Sequence, residues 1–68
     1  NPAKNSIYVN NLKEENSLLK IYDITGKLVM KQKISNNEYI DISKLTKGLY
    51  QLTFEGTYWK ENRRIVKD

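Results

Sequence analysis

Apolar and polar residues alternate with a period of two along most of the chain, and helical spacing does not persist beyond two turns. Short alternating stretches bounded by Gly, Asn, Asp or Ser are typical of β-strands joined by turns. The pattern predicts strands at residues 6–10, 17–23, 27–34, 38–42, 49–55 and 62–67, with residues 58–60 as the start of a further strand in a seven-strand interpretation.

The clearest predicted turn runs from Asp23 to Gly26. Aspartate at the first position can accept bonds from nearby backbone amides, and glycine at the fourth position tolerates a positive φ. Lys27 then begins the return strand of a hairpin. Both faces of residues 27–34 mix apolar and polar side chains, so the pattern alone does not decide which face points inward.

Residues 43–48 are too few for a helix and are predicted to form one 3₁₀-like turn. This turn places Leu45 beneath the sheet and ends at Gly48. Asp41 is placed to bond the amides of the turn, and Tyr50 to anchor the core with its hydroxyl near the edge. These positions are interpreted as architectural.

Six or seven short strands at a spacing of about ten residues predict an all-β domain. The preferred fold is a small antiparallel immunoglobulin-like β-sandwich, and the alternative is an open barrel of the SH3 or OB type. Residues 1–5 are predicted to be the end of a linker, with Asn1 held extended before Pro2, and residues 6–68 to be the domain.

With 68 residues, no His and no Cys, the chain lacks the residues behind most active sites. A domain of this size buries only about 60% of its surface on folding and is marginally stable, which leaves little room for a strained cleft. A catalytic site would need paired carboxylates or an activated Ser or Lys, and Asp23, Asp41 and Glu55 show no such pairing. The sequence therefore predicts no enzyme, no cofactor and no metal.

The formal net charge of +4 comes from 12 basic and eight acidic residues that are interleaved along the chain. Interleaving argues against nucleic-acid binding, and lysines on outward faces also protect edge strands from aggregation. No apolar run approaches the roughly 18 residues of a membrane span. Neither nucleic acid nor direct membrane insertion is therefore expected.

Four segments occur in an order that resembles a known family: NPA at 1–3, LKIYDITGKLV at 19–29, IDISKLTKGLY at 40–50 and RIVK at 64–67. Together they are similar to the C-terminal sorting domain of type IX secretion cargo in the Bacteroidota. The matched positions with architectural roles are Pro2, Tyr22, Asp23, Gly26, Lys27, Asp41, Leu45, Gly48 and Tyr50. Asp68 departs from the family pattern, which often ends on a basic or small polar residue.

The resemblance implies a β-sandwich that directs its parent protein across the outer membrane. It implies recognition by the outer-membrane translocon after periplasmic transit, with a shuttle protein and a cell-surface sortase as further partners. The sortase would remove the domain and anchor the cargo to a lipopolysaccharide, leaving it extracellular or on the cell surface. The cargo would lie N-terminal to residue 1, and a chain that starts at Asn1 rather than Met fits an excised module.

Two groups of residues are candidates for recognition. Arg63, Arg64, Ile65, Val66 and Lys67 form either an edge strand offered to the translocon by strand addition or an ordinary terminal strand with a basic face.

The second group is Tyr58 and Trp59, at a predicted hairpin tip. These aromatics are either interface anchors or a cap on a small core. A competing function is a cell-surface adhesion or carbohydrate-binding module, for which Tyr8, Tyr58 and Trp59 would be the contacts. An inert spacer is the structural alternative.

Overall fold

The alternating stretches form seven strands in the computed structural model, which describes residues 2–3, 5–10, 12 and 16–68. The strands are β1 (Pro2–Ala3), β2 (Ser6–Val9), β3 (Ser17–Tyr22), β4 (Leu28–Ile34), β5 (Glu38–Asp41), β6 (Gly48–Glu55) and β7 (Lys60–Lys67). The prediction that Asn1 is held extended lies outside the described residues. Within them, no helix has the length and apolar character needed to cross a bilayer.

The strands form two sheets that face each other across one core. The larger sheet has the order β1-β7-β6-β3-β4, and β2 pairs with β5 in the smaller one. All pairs are antiparallel except β1 with β7, which is parallel. The order β7-β6-β3-β4 against β2-β5 corresponds to strands G, F, C and C′ against B and E of an immunoglobulin domain. This confirms the small all-β sandwich and excludes the open barrel.

Among the described residues, eight hydrophobic side chains form the buried core. On β3, Leu19 and Ile21 are fully buried, because β3 is central in the larger sheet. The other core residues are Val9, Ile34, Ile40, Ile42, Tyr50 and Leu52. Pairing with β3 also resolves the ambiguous face of β4: Met30 lies opposite Ile21 and turns inward, which leaves Lys31 on the outside.

Two strand boundaries differ from the sequence prediction. Residues 58–60 do not begin a separate strand: Tyr58 and Trp59 lie in the turn between β6 and β7, where the Gly56 amide donates to the Trp59 carbonyl at 3.0 Å. This closure aligns Lys60 with Glu55, so that β7 continues unbroken to Lys67. In addition, β1 forms within the predicted linker, and the division between linker and domain stays a prediction.

The turn after β3 is held by the Asp23 carboxylate. Its Oδ1 accepts the Thr25 hydroxyl at 2.6 Å, the Thr25 amide at 2.9 Å and the Lys27 amide at 3.1 Å. These bonds lower the pKa of Asp23 below the usual 3.8, and the Thr25 hydroxyl has the largest influence. Gly26 completes the turn with a φ of +89°, a conformation that favours glycine.

The connection between β5 and β6 forms a tyrosine corner, a feature of immunoglobulin-like domains. The hydroxyl of Tyr50 on β6 reaches back four residues and donates to the Thr46 carbonyl at 2.7 Å. Upstream, the Leu45 amide donates to the Ile42 carbonyl at 3.0 Å and closes the short turn, with Leu45 packed against the core. Asp41 accepts the Ser43 amide at 2.9 Å, and bonds from Ser43 lower the pKa of Asp41.

Replacing Tyr50 with phenylalanine should lower the free energy of unfolding by about 1 kcal/mol, the usual net value of one hydrogen bond. The ring would keep its packing while the Thr46 carbonyl loses its donor. Urea unfolding followed by circular dichroism measures the change. Tyr58→Phe is the matched control, because the Tyr58 side chain is 95% exposed and should leave stability unchanged. Equal stability of the two variants would contradict a structural role for the corner.

Candidate recognition surface

The candidate recognition strand β7 presents alternate residues to opposite faces of the larger sheet. Arg63 lies opposite Leu52 and Ile65 opposite Tyr50, on the side that faces the core. Arg64 lies opposite Gln51, on the outer side. Residues that are adjacent in sequence are therefore presented to two different environments.

On the core side, the chain end is less exposed than the sequence pattern suggested. Ile65 packs against the core, and Lys67 is buried, with its Nζ donating to the Asp68 carbonyl at 3.1 Å. The cause is the position of the last residues between two strands, with Lys67 opposite Gly48 and next to Ala3 of β1. Arg63 stays exposed and forms an ion pair with Glu61.

The edge of β7 is open over most of its length. Within the described residues, β1 pairs only with Val66 and Lys67, whereas residues 60–65 have β6 on one side and no strand on the other. Unpaired backbone amides and carbonyls on such an edge can accept an added strand. The predicted edge strand is therefore open at residues 60–65, and β1 covers Val66 and Lys67.

An inward-facing groove of about 470 Å³ separates β7 from β2. Trp59 lines it together with Tyr8, and the Trp59 Nε1 is buried without a hydrogen-bond partner among the described residues. Tyr58, by contrast, is not among the groove residues and is almost fully exposed at the turn. The two aromatics of the hairpin tip therefore have different environments, and only Trp59 shares a groove with Tyr8.

The outer face of the larger sheet carries a second, shallow groove of about 590 Å³. Leu49 lines this groove and lies opposite Val66 in the β6–β7 pair, and the two side chains are 45% and 44% exposed. Tyr22 and Arg64 also border this region. The surface is not predictable from the sequence alone, because the Leu49–Val66 pair depends on the register of the β6–β7 hairpin. Alternation with Tyr50, Leu52 and Phe54 indicates only that Leu49 lies on the other face of its strand.

The acidic residues considered as catalytic candidates have separate structural contacts. Asp23 and Asp41 bond their own turns, and these bonds lower the pKa of both carboxyl groups. Glu55 pairs with Lys20 at 3.4 Å on the outer face. Among the described residues, no three acidic, His or Cys side chains are grouped to hold a metal ion.

Comparison with known proteins bears on the resemblance found in the four ordered segments. No curated protein and no solved structure gives a significant match to the chain. The family model described as "Secretion system C-terminal sorting domain" matches residues 1–68, which is the whole chain. This chain therefore belongs to the family of type IX secretion C-terminal sorting domains.

Proposed function

We propose that the domain directs the protein that carries it across the outer membrane through the type IX secretion machinery. The observation that carries this proposal is the family match over the whole chain. A sorting role also suits the molecule, because a secretion signal needs a folded surface for recognition rather than an active site. We propose accordingly that the domain is not an enzyme and needs no cofactor.

The proposed route begins in the periplasm, where the outer-membrane translocon recognises the domain. The cargo lies N-terminal to residue 1, and a shuttle protein carries it to a cell-surface sortase. The sortase removes the domain and attaches the cargo, which ends at the cell surface or outside the cell. Support for each of these steps comes from family membership alone.

Within this function, residues 63–67 are the proposed recognition segment. The open edge at residues 60–65 supports strand addition by the receptor, since its backbone groups lack a partner strand in the described residues. Arg63 and Arg64 are exposed on opposite faces of this strand and would select the partner's side chains. Tyr58 remains a candidate contact at the exposed hairpin tip.

An export assay tests the proposal. Residues 1–68 are fused to the C-terminus of a periplasm-directed reporter in a host with a type IX system, and reporter is measured in periplasm, on the cell surface and in the medium. We expect export, and we expect the reporter to stay in the periplasm of an isogenic host without a functional translocon. Retention in both hosts, while the first host exports its own cargo, would refute the proposal. If the reporter has the same location with and without the fused domain, the domain is an inert spacer.

A carbohydrate-binding module remains the alternative function, and the shared groove of Tyr8 and Trp59 is the observation that favours it. Aromatic rings at one groove can stack on sugar rings. A glycan array with the isolated domain separates the two functions, because a sorting domain should bind no sugar. Sugar binding that disappears in Trp59→Ala, in a domain that does not direct export of the reporter, would support the alternative.

A further inference from the structure

The outer face of the larger sheet carries a concentration of basic side chains. Register and alternation place five cations and one carboxylate on its described strands, a formal charge of +4, and the Asp23 carboxylate lies at the groove that borders them. We call this surface the basic face, and it comprises Lys20, Lys31, Lys33, Glu55, Lys60 and Arg64.

The cations of the basic face lie close together at a cost to the fold. Lys20 stands directly opposite Lys31, and like charges facing each other across strands are destabilising. Glu55 offsets Lys20, but Lys31, Lys33 and Lys60 have no ion pair within the described part of the chain. Protection of an edge strand from aggregation explains the lysines on β4. It does not explain Lys20, because Lys20 lies on the central strand β3.

At one end, the basic face meets the exposed pair of Leu49 and Val66 and the shallow groove that Tyr22 also lines. Ile24, 78% exposed, adds apolar surface at the rim of this groove. Aromatic residues and arginine beside a small apolar patch are typical of the centre of protein interfaces. The surrounding cations would steer an oppositely charged partner onto the patch.

We propose that the basic face docks an acidic protein surface of the secretion machinery, with an apolar side chain of the partner in the groove beside Leu49 and Val66. This inference rests on the proposed function. The partner's acidic groups pair with Lys60 and Arg64. A protein fits this surface better than a flat lipid headgroup layer, because a protruding side chain can enter the groove beside Leu49 while acidic neighbours meet Lys60 and Arg64.

Charge reversal on this face tests the inference in the export assay. The variant is Lys60→Glu with Arg64→Glu, and the control is Lys44→Glu with Lys47→Glu, which makes the same charge change at exposed lysines of the β5–β6 connection. We expect the first variant to reduce export by about tenfold or more and the control to leave it near the unmodified level. Urea unfolding of the isolated domains must show that both variants are folded.

The outcomes separate the inference from the proposed function. If the unmodified fusion is not exported, both are overturned. If it is exported and the Lys60/Arg64 variant is exported equally well, only the docking surface is overturned, and the same holds if the control loses export to the same extent.

Sedimentation with phosphatidylglycerol vesicles tests the other class of partner. Binding of the unmodified domain that is lost in the Lys60/Arg64 variant would replace the protein partner with an anionic membrane. The absence of vesicle binding, together with loss of export in that variant alone, supports the inference.

Discussion

Replacement of Ile21 by alanine should remove a large share of the stability of the domain. Ile21 is fully buried on the central strand β3, where it pairs with Met30 on one side and Leu52 on the other. Truncating a buried isoleucine to alanine costs about 2–5 kcal/mol, because apolar contacts are lost and a cavity remains. A chain of this length has about 3–10 kcal/mol of total stability, so one such change removes a large share of it.

Urea unfolding, monitored by circular dichroism and by the fluorescence of Trp59, measures the loss. Ile24→Ala is the matched control, because it makes the same chemical change at a side chain that is 78% exposed, and its effect should stay within about 0.5 kcal/mol. Similar stabilities of the two variants would show that the core is not organised around β3. In the export assay, Ile21→Ala should also lose function, since recognition of a surface requires the fold.

Deletion of residues 65–68 should abolish export, and the structure indicates that it does so by removing part of the fold. The deletion takes away the core contact of Ile65 and the pairs that join β6 to the end of β7. It also removes both residues, Val66 and Lys67, with which β1 pairs. We expect a loss of cooperative unfolding together with a loss of export, measured on the same variant.

Deletion of Asp68 alone is the control, because it leaves every strand pair in place. This shorter deletion should fold normally, and its export shows whether the last residue is read by the machinery. A folded 65–68 deletant that is exported normally would refute the role of the strand in recognition. If the deletant is unfolded, its loss of export does not identify the recognised face. The surface variant at Lys60 and Arg64 then identifies that face.

The fold class followed from the sequence because alternation and turn chemistry are local properties. Asp23 and Gly26 form their turn through bonds that span four residues, and Tyr50 bonds a carbonyl only four residues away. Such contacts form whenever the local chain adopts the turn, so residue type and spacing predict them well. The four ordered segments likewise indicated the family that the full-length match then established.

The candidate surface was predictable only in part. Alternation divides a strand such as β7 into two sets of residues but does not say which set meets the core. That choice depends on pairing with β6, where Ile65 meets buried Tyr50 and Arg64 meets exposed Gln51. The pairing with β6 places Arg63 and Arg64 on opposite faces of the larger sheet.

The chain by itself therefore determined that this protein is a small all-β domain without His or Cys, built on hairpins whose turn residues are visible in the sequence. Only the tertiary structure decided that Lys67 is buried, that Pro2–Ala3 forms a strand beside β7, and that five cations share one sheet face. The physical reason is that these features depend on which strands pair and in which register, including the pairs β1–β7 and β3–β6 that join distant parts of the chain. Their register is set by burial of the shared core, which no local pattern contains.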